Sequence, residues 1–293
     1  MELAAVTMVY NEPEYLPIWC RYYGAQLGPE HCYIIDHGTE DGSVDPFRAL
    51  GFNIVRIPRS PKDNTKRTRF VSSFCSSLLE WYGAVLHSDV DEIAFPNPAR
   101  FASLQDYVAK CERGGPVSAI GFDIYQDVNS EKSLDLARSV AEQRSYVRFS
   151  SSMCKPVIAF QPIKWSPGFH SADAKVRFDE IYLFHLRYFD LKLGLLRLNR
   201  TRSQAWSSPT AGGHQRFGDD QFEKIMASIG RMPKVDLGEL DPSNKLIAEW
   251  TGKVLAVEKD FRHNTYTFDL HLFGDKLLRL PGNVRSALAN WGV

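Results

Sequence analysis

The first ninety or so residues alternate between two hydrophobic periods, and this alternation leaves few folds open to the chain. Four segments are apolar runs of strand length: 3–10, 32–36, 53–57 and 83–87. Three segments between them place apolar side chains at helical spacing: 13–27, 43–50 and 65–82. Strands that alternate with helices predict an α/β fold, in which a mainly parallel, Rossmann-like sheet carries helices on both faces.

The hydrophobic pattern becomes looser beyond residue 98. It predicts a helix at 103–112, a strand at 119–126 and short strands at 157–160 and 176–185. Short strands of this kind suit a mixed sheet rather than a purely parallel one.

The third quarter of the chain combines a basic helix with a linker signal. Residues 190–206 predict an amphipathic helix after an Asp190 N-cap, with leucines on one face and basic residues elsewhere. Residues 207–213, SSPTAGG, are typical of a linker. We therefore expect one α/β domain at 1–206, with halves at 1–98 and 99–206, and a C-terminal extension at 207–293 that packs on it.

The composition excludes several classes of partner. Lys plus Arg and Asp plus Glu both count 35, so no global field attracts nucleic acid or an anionic membrane. No run approaches the roughly 20 apolar residues of a transmembrane helix, and the first residues lack a basic secretory n-region. The five cysteines are widely spaced and form no CxxC pair, which favours core thiols over disulfides or zinc. A cytoplasmic protein is expected.

Three carboxylates follow the last of the four apolar runs, in LHSDVDEIAFP at 86–96. If that strand continues, Asp89 and Asp91 lie on one face and can hold one hard cation between them. A Mg²⁺ or Mn²⁺ ion held by one or two carboxylates usually binds substrate phosphates as well, so the substrate is expected to carry a nucleotide diphosphate. The alternative is a solvated strand end, which is common for a lone acid-x-acid triplet.

The ends of the first two strands carry polar residues too. Ligands of an open parallel sheet bind outside the carboxyl ends of its strands, where Tyr10, Asn11 and Glu12 meet Asp36 and His37. Each has a structural alternative: Asp36 is equally suited to a turn, and Asn11 and Glu12 could cap the first helix ahead of a proline.

Basic and imidazole side chains supply further candidates. His170, His185 and His214 lie in the second half of the chain, and His185 is the best ligand candidate because Arg187, suited to phosphate, follows it. A histidine in an apolar run is otherwise usually a hydrogen-bonded core residue. The run at 56–69 is either a solvated loop or a phosphate-facing helix start, with these candidates: Lys66, Arg67 and Arg69.

The chain from residue 6 resembles the nucleotide-binding half of family 2 type glycosyltransferases of GT-A fold: VTMVYNEPEYLPIWCRYYGAQLGPEHCYIIDHGTEDGS. Within it, PIWCRYYGAQLG followed by YIIDHGTEDGS is most similar to the branch akin to glycosyltransferase family 92. Later segments resemble the same branch in the same order: WYGAVLHSDVDEI, KPVI ahead of GFH, and HLRY at 185–188. The resemblance covers residues 4–206.

The resemblance implies a GT-A-like fold and assigns roles to the residues that match it. Asp89 and Asp91 would bind the metal and the diphosphate, with His185 as a third ligand, and Asp36 would contact the nucleoside. His37 stands where many members have a second aspartate, which leaves the base of the nucleotide open. The residues expected to contact the nucleotide sugar are Tyr10, Asn11, Glu12, Asp36, His37, Lys66, Arg69, Asp89, Lys155, His170 and Arg187.

An inverting transfer also needs a carboxylate that accepts the proton of the acceptor hydroxyl. Three acids qualify by residue type, ranked Asp220, Asp123 and Glu92. Asp220 is first because the sequence at 218–220, GDD, resembles the acid pair that supplies the base in family 2 type enzymes.

The expected function is metal-dependent transfer of a sugar, with Mn²⁺ or Mg²⁺, from a nucleotide diphosphate sugar to a hydroxyl of a glycan, polysaccharide or glycolipid. A UDP-sugar is the favoured donor. Two alternatives stay open: a nucleotidyltransferase of the same fold, and a non-catalytic nucleotide-sugar-binding protein. Four basic residues of the amphipathic helix could also hold the protein to the inner face of a membrane, or simply face solvent: Lys192, Arg197, Arg200 and Arg202.

Overall fold

An eleven-stranded mixed sheet forms the centre of the computed structural model, which describes residues 2–208, 212–254, 258–261 and 264–293. The strands are β1 (Leu3–Val9), β2 (Cys32–Asp36), β3 (Asn53–Arg56), β4 (Ala84–His87), β5 (Glu92–Pro96), β6 (Val117–Tyr125), β7 (Tyr146–Phe149), β8 (Pro156–Ala159), β9 (Arg177–Tyr188), β10 (Lys234–Asp236), β11 (Glu258–Asp260), β12 (Thr265–Thr267) and β13 (Leu277–Arg279). Strands β11 and β12 form a separate antiparallel pair outside the large sheet. The α-helices are α1 (Leu16–Leu27), α2 (Asp45–Ala49), α3 (Asn64–Leu78), α4 (Leu104–Lys110), α5 (Val140–Gln143), α6 (Leu191–Ser203), α7 (Asp219–Gly230), α8 (Lys245–Val254) and α9 (Gly282–Asn290).

The N-terminal half of the sheet is parallel, in the order β3-β2-β1-β4. Strand β1 is buried along its whole length because both of its faces are covered. Leu3, Ala5 and Val9 belong to the core cluster that contains Trp19 of α1. Their alternating neighbours Ala4, Val6 and Met8 pack in the cluster that includes α3. The predicted α/β class, a Rossmann-like sheet with helices on both faces, is confirmed.

The second half of the sheet is mixed. Strands β4, β8, β6 and β7 pair antiparallel in that order. Strand β9 pairs parallel with β6 and antiparallel with β5. The short strand predicted at 176–185 is wrong in length, because pairing on both sides extends β9 to Arg177–Tyr188. The short apolar run at β5 does not predict a strand. Strand β5 forms because it pairs antiparallel with β9.

The C-terminal part of the chain joins the same sheet. Strand β13 pairs with β7, and β10 pairs with β13, so both extend the sheet at its edge. Val284 and Leu288 of α9 lie in the large core cluster that also holds α1. The described residues of 207–293 therefore share one core with the α/β domain. Part of the predicted linker, 209–211, lies outside the described residues.

Two global expectations concern membranes and thiols. Within the described ranges, no helix has the length and apolar character needed to cross a bilayer. The five cysteines are free thiols, four of them buried and Cys111 half-buried, as expected for core residues.

Candidate active site

The three acids of LHSDVDEIAFP lie at a tight turn between β4 and β5. Strand β4 ends at His87, and the amide of Glu92 donates to the carbonyl of Asp89 at 2.9 Å, which closes the turn. The premise that Asp89 and Asp91 share one face of a continuing strand is therefore wrong. The turn directs the two carboxylates to different cations.

Asp89 belongs to a buried cluster with two cations. Its Oδ1 accepts from Arg67, and its Oδ2 accepts from Lys155 Nζ at 3.0 Å. Lys155 Nζ also donates to Glu92 Oε1 at 2.5 Å. Glu92 Oε2 in turn accepts from the amide of Asp89 at 3.0 Å. Lys155, the residue before β8, thus binds the β4–β5 turn from the neighbouring strand.

The pKa values of this cluster follow from burial and charge. Burial raises the pKa of the Asp89 carboxyl, but Arg67 and Lys155 outweigh burial and hold that pKa far below its usual range. Burial lowers the pKa of Lys155, and Asp89 and Glu92 reverse the effect, so the Lys155 pKa is raised. Burial raises the pKa of Glu92 against the attraction of Lys155. Lys155 and Asp89 are therefore a charged pair at neutral pH.

Asp91, His185 and Asp123 form a second buried cluster. In the register of the sheet, His185 of β9 lies opposite Glu92 of β5 and opposite Asp123 of β6. Its ring lies between two carboxylates: Nδ1 is 2.6 Å from Asp123 Oδ1, and Nε2 is 3.1 Å from Asp91 Oδ2. Burial alone lowers the pKa of His185, but Asp91 and Asp123 raise it to about 9. An imidazolium that donates from both nitrogens fits this geometry.

Protonated His185 predicts how stability depends on pH. Its pKa of about 9 in the folded protein exceeds the value of about 6.5 in an unfolded chain, so the stabilisation is complete below about pH 6.5 and is lost as the pH rises through 9. We expect the Tm advantage of the wild type over His185→Gln to shrink across that window. Lys62, with a pKa lowered by burial to about 8, titrates in both proteins and cancels in the difference. A Tm difference that stays constant would contradict a charged His185.

Arg197 of α6 joins Asp91 to the end of β1. Its Nη1 donates to Asp91 Oδ2, while its Nε and Nη2 donate to Glu12 Oε1 at 3.1 and 2.9 Å. The guanidinium also lies 4.3 Å from the ring centroid of Tyr15. Burial raises the pKa of Asp91, but Arg197 and His185 hold that pKa well below its usual range. Asp91 is therefore an anion that shares one oxygen between two cations.

The basic residues of α6 face protein acids, and the helix itself is confirmed. Arg200 pairs with Glu14, and Arg202 pairs with Asp219. Together with Arg197, three of the four cations considered for membrane contact have intramolecular partners. These ion pairs bind α6 to the rest of the fold, and membrane contact of this helix stays a prediction. Lys192 is the exposed member of the set.

The ends of β1 and β2 are tied together by side-chain hydrogen bonds. Asn11, in the left-handed region at φ 52°, accepts from the amide of Glu40 at 3.0 Å. Helix α1 begins at Leu16, so the proposed capping role of the Asn11 side chain is wrong. Asp36 accepts from the amide of Thr39 at 2.7 Å and from Arg56 at 2.8 Å. Both Asp36 oxygens thus stabilise the loop after β2.

Tyr10 and His37 lie beside a shared arginine at the same edge. The guanidinium of Arg59 is 3.5 Å from the Tyr10 ring centroid, and its Nη1 donates to His37 Nδ1 at 3.0 Å. His37 Nε2 is 3.1 Å from the Ser60 hydroxyl. Burial and the Arg59 charge lower the pKa of His37 to about 4. His37 is therefore a neutral imidazole at physiological pH.

Some residues of the basic run at 56–69 contact the site and others face solvent. Arg67 enters the site through Asp89, whereas Lys66 and Arg69 are exposed. Residues two apart on an α-helix differ by about 200° in direction, so Arg67 and Arg69 cannot face the same side. The phosphate-facing candidate of α3 is therefore Arg67.

Lys62 is a site cation that sequence reasoning missed. Its Nζ donates to Gln215 Oε1 at 2.8 Å and lies 4.7 Å from the ring centroid of Trp206. Burial lowers the pKa of Lys62 to about 8, and the charges of Arg67 and Arg197 act in the same direction. Lys62 thus donates to a neutral amide oxygen, and the described residues give it no ion pair with a carboxylate. No periodic signal distinguishes it within the basic run.

The remaining sequence candidates lie around these clusters. His170 is half-buried, with Nδ1 2.8 Å from the carbonyl of Ser152. Arg187 lies 5.2 Å from the ring centroid of Phe217. Asp220 is exposed in the first turn of α7. Among the described residues, Asp220 has no ion pair with the Asp89 or Asp91 cluster.

The sequence predicts Asp89, Asp91 and His185 as ligands of Mn²⁺ or Mg²⁺. A metal ligand must be deprotonated and must offer a free lone pair to the ion. His185 is held as an imidazolium, Asp91 Oδ2 is bound by Arg197, and both Asp89 oxygens accept from cations. As arranged, these side chains do not fit a divalent cation. Elsewhere in the described ranges, too, no three or more His, Cys, Asp or Glu residues form a group that could hold one.

Comparison with known proteins gives distant structural similarities. No family model matches the chain, and no curated protein gives a significant match. TarS residues 1–349 from S. aureus are 11% identical, with 78% of this chain and 70% of that chain covered at a TM-score of 0.35. Glucosyl-3-phosphoglycerate synthase from Mycobacterium tuberculosis, solved with Mn²⁺, UDP-glucose and phosphoglyceric acid, is 17% identical over 44% of this chain and 45% of that chain, at a TM-score of 0.26.

A third solved structure covers more of the chain. Mannose-1-phosphate geranyltransferase from Thermus thermophilus is 11% identical, with 97% of this chain and 77% of that chain covered at a TM-score of 0.32. Similarities this distant assign no activity to the chain. The function therefore has to rest on the geometry of the site.

Proposed function

We propose that the protein transfers a sugar from a nucleotide diphosphate sugar to a hydroxyl group of an acceptor. The observation that carries this proposal is the pair of Arg67 and Arg197, which bind the two aspartates of the β4–β5 turn. Lys62 adds a third cation next to the end of α6, where its amide donates to the Ala205 carbonyl. Ligands of open α/β sheets bind at that edge. Clustered cations there suit a diphosphate, because Arg and Lys are the side chains that recognise phosphate groups.

The carboxylates of the site suit the other part of such a substrate. Asp91, Glu92 and Asp123 are buried, and each is bound to a protein cation: Arg197, Lys155 and His185 respectively. A carboxylate with one such partner keeps further lone pairs that can accept from a sugar hydroxyl. A ligand that joins a diphosphate to a sugar matches both halves of the site.

The nucleoside is proposed to lie where β1 and β2 end. Tyr10, Asn11 and His37 surround this edge, and Asp36 holds the loop that follows β2. Both ring nitrogens of His37 already lie at hydrogen-bond distance from Arg59 and Ser60, so His37 is proposed to shape this edge of the site through its ring. A UDP-sugar stays the favoured donor from the family resemblance, as does a glycan, polysaccharide or glycolipid acceptor.

The proposed reaction exchanges one glycosidic bond for another. The acceptor oxygen attacks the anomeric carbon, and the bond from that carbon to the diphosphate oxygen breaks. The electron pair of that bond leaves with the nucleoside diphosphate, where cations placed beforehand stabilise the developing charge. The proton of the acceptor hydroxyl passes to a carboxylate.

Asp220 is the proposed base. Asp123 and Glu92 are already bound to His185 and Lys155, whereas Asp220 is exposed on α7. We expect Asp220→Asn to lower kcat by about 100-fold or more, because base removal typically costs 10²–10⁴-fold, while the Kd for the donor stays unchanged. Glu223→Gln, an exposed acid one turn further along α7, is the matched control. Wild-type kcat in Asp220→Asn would assign the base elsewhere.

Identification of the released product tests the proposed function. The protein is incubated with UDP-, GDP- and dTDP-sugars and a panel of glycan and glycolipid acceptors, with Mn²⁺ or with EDTA. Release of a nucleoside diphosphate with a glycosylated acceptor is the expected result. Release of pyrophosphate would identify a nucleotidyltransferase instead, and donor binding without turnover of any acceptor would identify a binding protein.

A further inference from the structure

Arg197 occupies the position at Asp91 that a metal ion was expected to fill. It donates to Asp91 Oδ2 from Nη1, and the Glu12 carboxylate fixes its other edge through Nε and Nη2. The Tyr15 ring lies 4.3 Å from the guanidinium carbon. The side chain is 21% exposed. Of the five N–H groups of a guanidinium, two are left for a ligand that arrives from solvent.

Removing Arg197 from this position would be costly. An arginine cannot lose its proton to make room for a cation, so it would have to leave as a charged group. Its departure would leave Glu12 and Asp91 without their shared guanidinium. Glu12 Oε2 already lacks a hydrogen-bond partner among the described residues. Breaking a buried pair on one side leaves an uncompensated charge, which is strongly unfavourable.

The other expected metal ligands are occupied as well. Both oxygens of Asp89 accept from cations, Arg67 and Lys155. The His185 ring lies between two carboxylates, Asp91 and Asp123, and makes a hydrogen-bond contact with each. A divalent ion would therefore compete with protein cations at every one of these side chains. Cationic side chains of the protein already neutralise these acids, as a metal ion would.

Lys62 supplies a second cation for an incoming anion. It donates to the neutral Gln215 side chain, and the described residues give it no ion pair with a carboxylate. A phosphate oxygen can replace the Gln215 oxygen with a gain in charge attraction. Lys62 lies next to the end of α6, the helix that carries Arg197, because the Lys62 amide donates to the Ala205 carbonyl at 2.8 Å.

We propose that the leaving diphosphate binds directly to Arg197 and Lys62, with no divalent cation between Asp91 and the phosphates. This inference rests on the proposed function, because it names the groups that neutralise the leaving group of that reaction. When the sugar–oxygen bond breaks, the electron pair stays on the terminal phosphate oxygen. The free N–H groups of Arg197 and the Lys62 ammonium donate to that oxygen and its neighbours. Asp91 and Glu12 are positioning residues for Arg197.

Calorimetric titration with UDP in EDTA and in Mn²⁺ tests this proposal. We expect wild-type protein to bind UDP with the same Kd in both buffers, within about twofold. Arg197→Met should weaken binding by about 100-fold in both, because the phosphates lose a charged hydrogen-bond partner. Arg200→Met, which removes a paired arginine one turn further along α6, is the matched control and should bind as the wild type does.

A second variant covers the case in which Arg197→Met fails to fold. Lys62→Met removes a cation with no carboxylate partner in the described structure, so the fold should survive, and UDP binding should weaken by about tenfold or more. Binding of UDP only in the presence of Mn²⁺ would overturn the inference and leave the proposed function standing. Absence of binding by any nucleoside diphosphate in either buffer would overturn both.

Discussion

Replacing Lys155 with methionine is expected to lower the free energy of unfolding by about 3–5 kcal/mol, the range found when one partner of a buried ion pair is removed. The side chain of Lys155 is 6% exposed and binds both Asp89 and Glu92. Methionine fills a similar volume, so the loss measures the uncompensated carboxylates rather than a cavity. Urea unfolding at neutral pH provides the measurement.

The Lys155 prediction has a matched control and a pH signature. The control is Lys110→Met. Lys110 is 58% exposed and pairs with Asp106 on the surface of α4, so this variant should lower the free energy of unfolding by less than about 1 kcal/mol. The deficit of Lys155→Met should shrink as the pH falls and the two buried carboxyls gain protons. A deficit below about 1 kcal/mol at neutral pH would show that Lys155 does not neutralise them.

Asp91→Asn is expected to cause a large loss of activity. Asparagine keeps the shape of the side chain but removes the charge that holds both Arg197 and the His185 imidazolium. Loss of orientation at one preorganised donor typically lowers kcat by about 10²–10³-fold, and we expect a decrease of that size. The pKa of His185 should fall as well, because Asp91 is the strongest group that raises it.

The His185 pKa separates positioning from a purely structural role of Asp91. It can be followed by NMR titration of the imidazole in the wild type, in Asp91→Asn and in Asp106→Asn, whose acid lies on α4 away from the clusters. Only Asp91→Asn should lower it. Wild-type turnover together with an unchanged His185 pKa would exclude Asp91 from the site.

The parallel half of the fold could be predicted because its signals are local. Strands β1 to β4 and helices α1 and α3 each show their own hydrophobic period, so each can be recognised without knowledge of its partners. Strand β5 has too short an apolar run to be recognised, since its order depends on pairing with β9, which begins only at Arg177. Periodicity carries no information on pairing at that distance.

The acids of the site could be found from the sequence, but their partners could not. Asp89 and Asp91 were singled out by their density of charge after an apolar run. Their cations come from separate elements: Lys155 is 66 residues beyond Asp89, and Arg197 is 106 residues beyond Asp91. An amphipathic pattern shows that α6 is basic without showing what it faces. The sequence predicts a metal ion because it does not show which basic side chains of the protein lie beside these acids.

A crystal structure of the protein with UDP in metal-free buffer tests the central claim most directly. We predict that the diphosphate lies at the carboxyl ends of β1 and β4, with phosphate oxygens in hydrogen-bond contact with Arg197 and Lys62, and the uridine beside Tyr10 and His37. UDP bound at another edge of the sheet would contradict the site. Occupancy that appears only when Mn²⁺ is added, with the ion on Asp91, would contradict the direct role of Arg197.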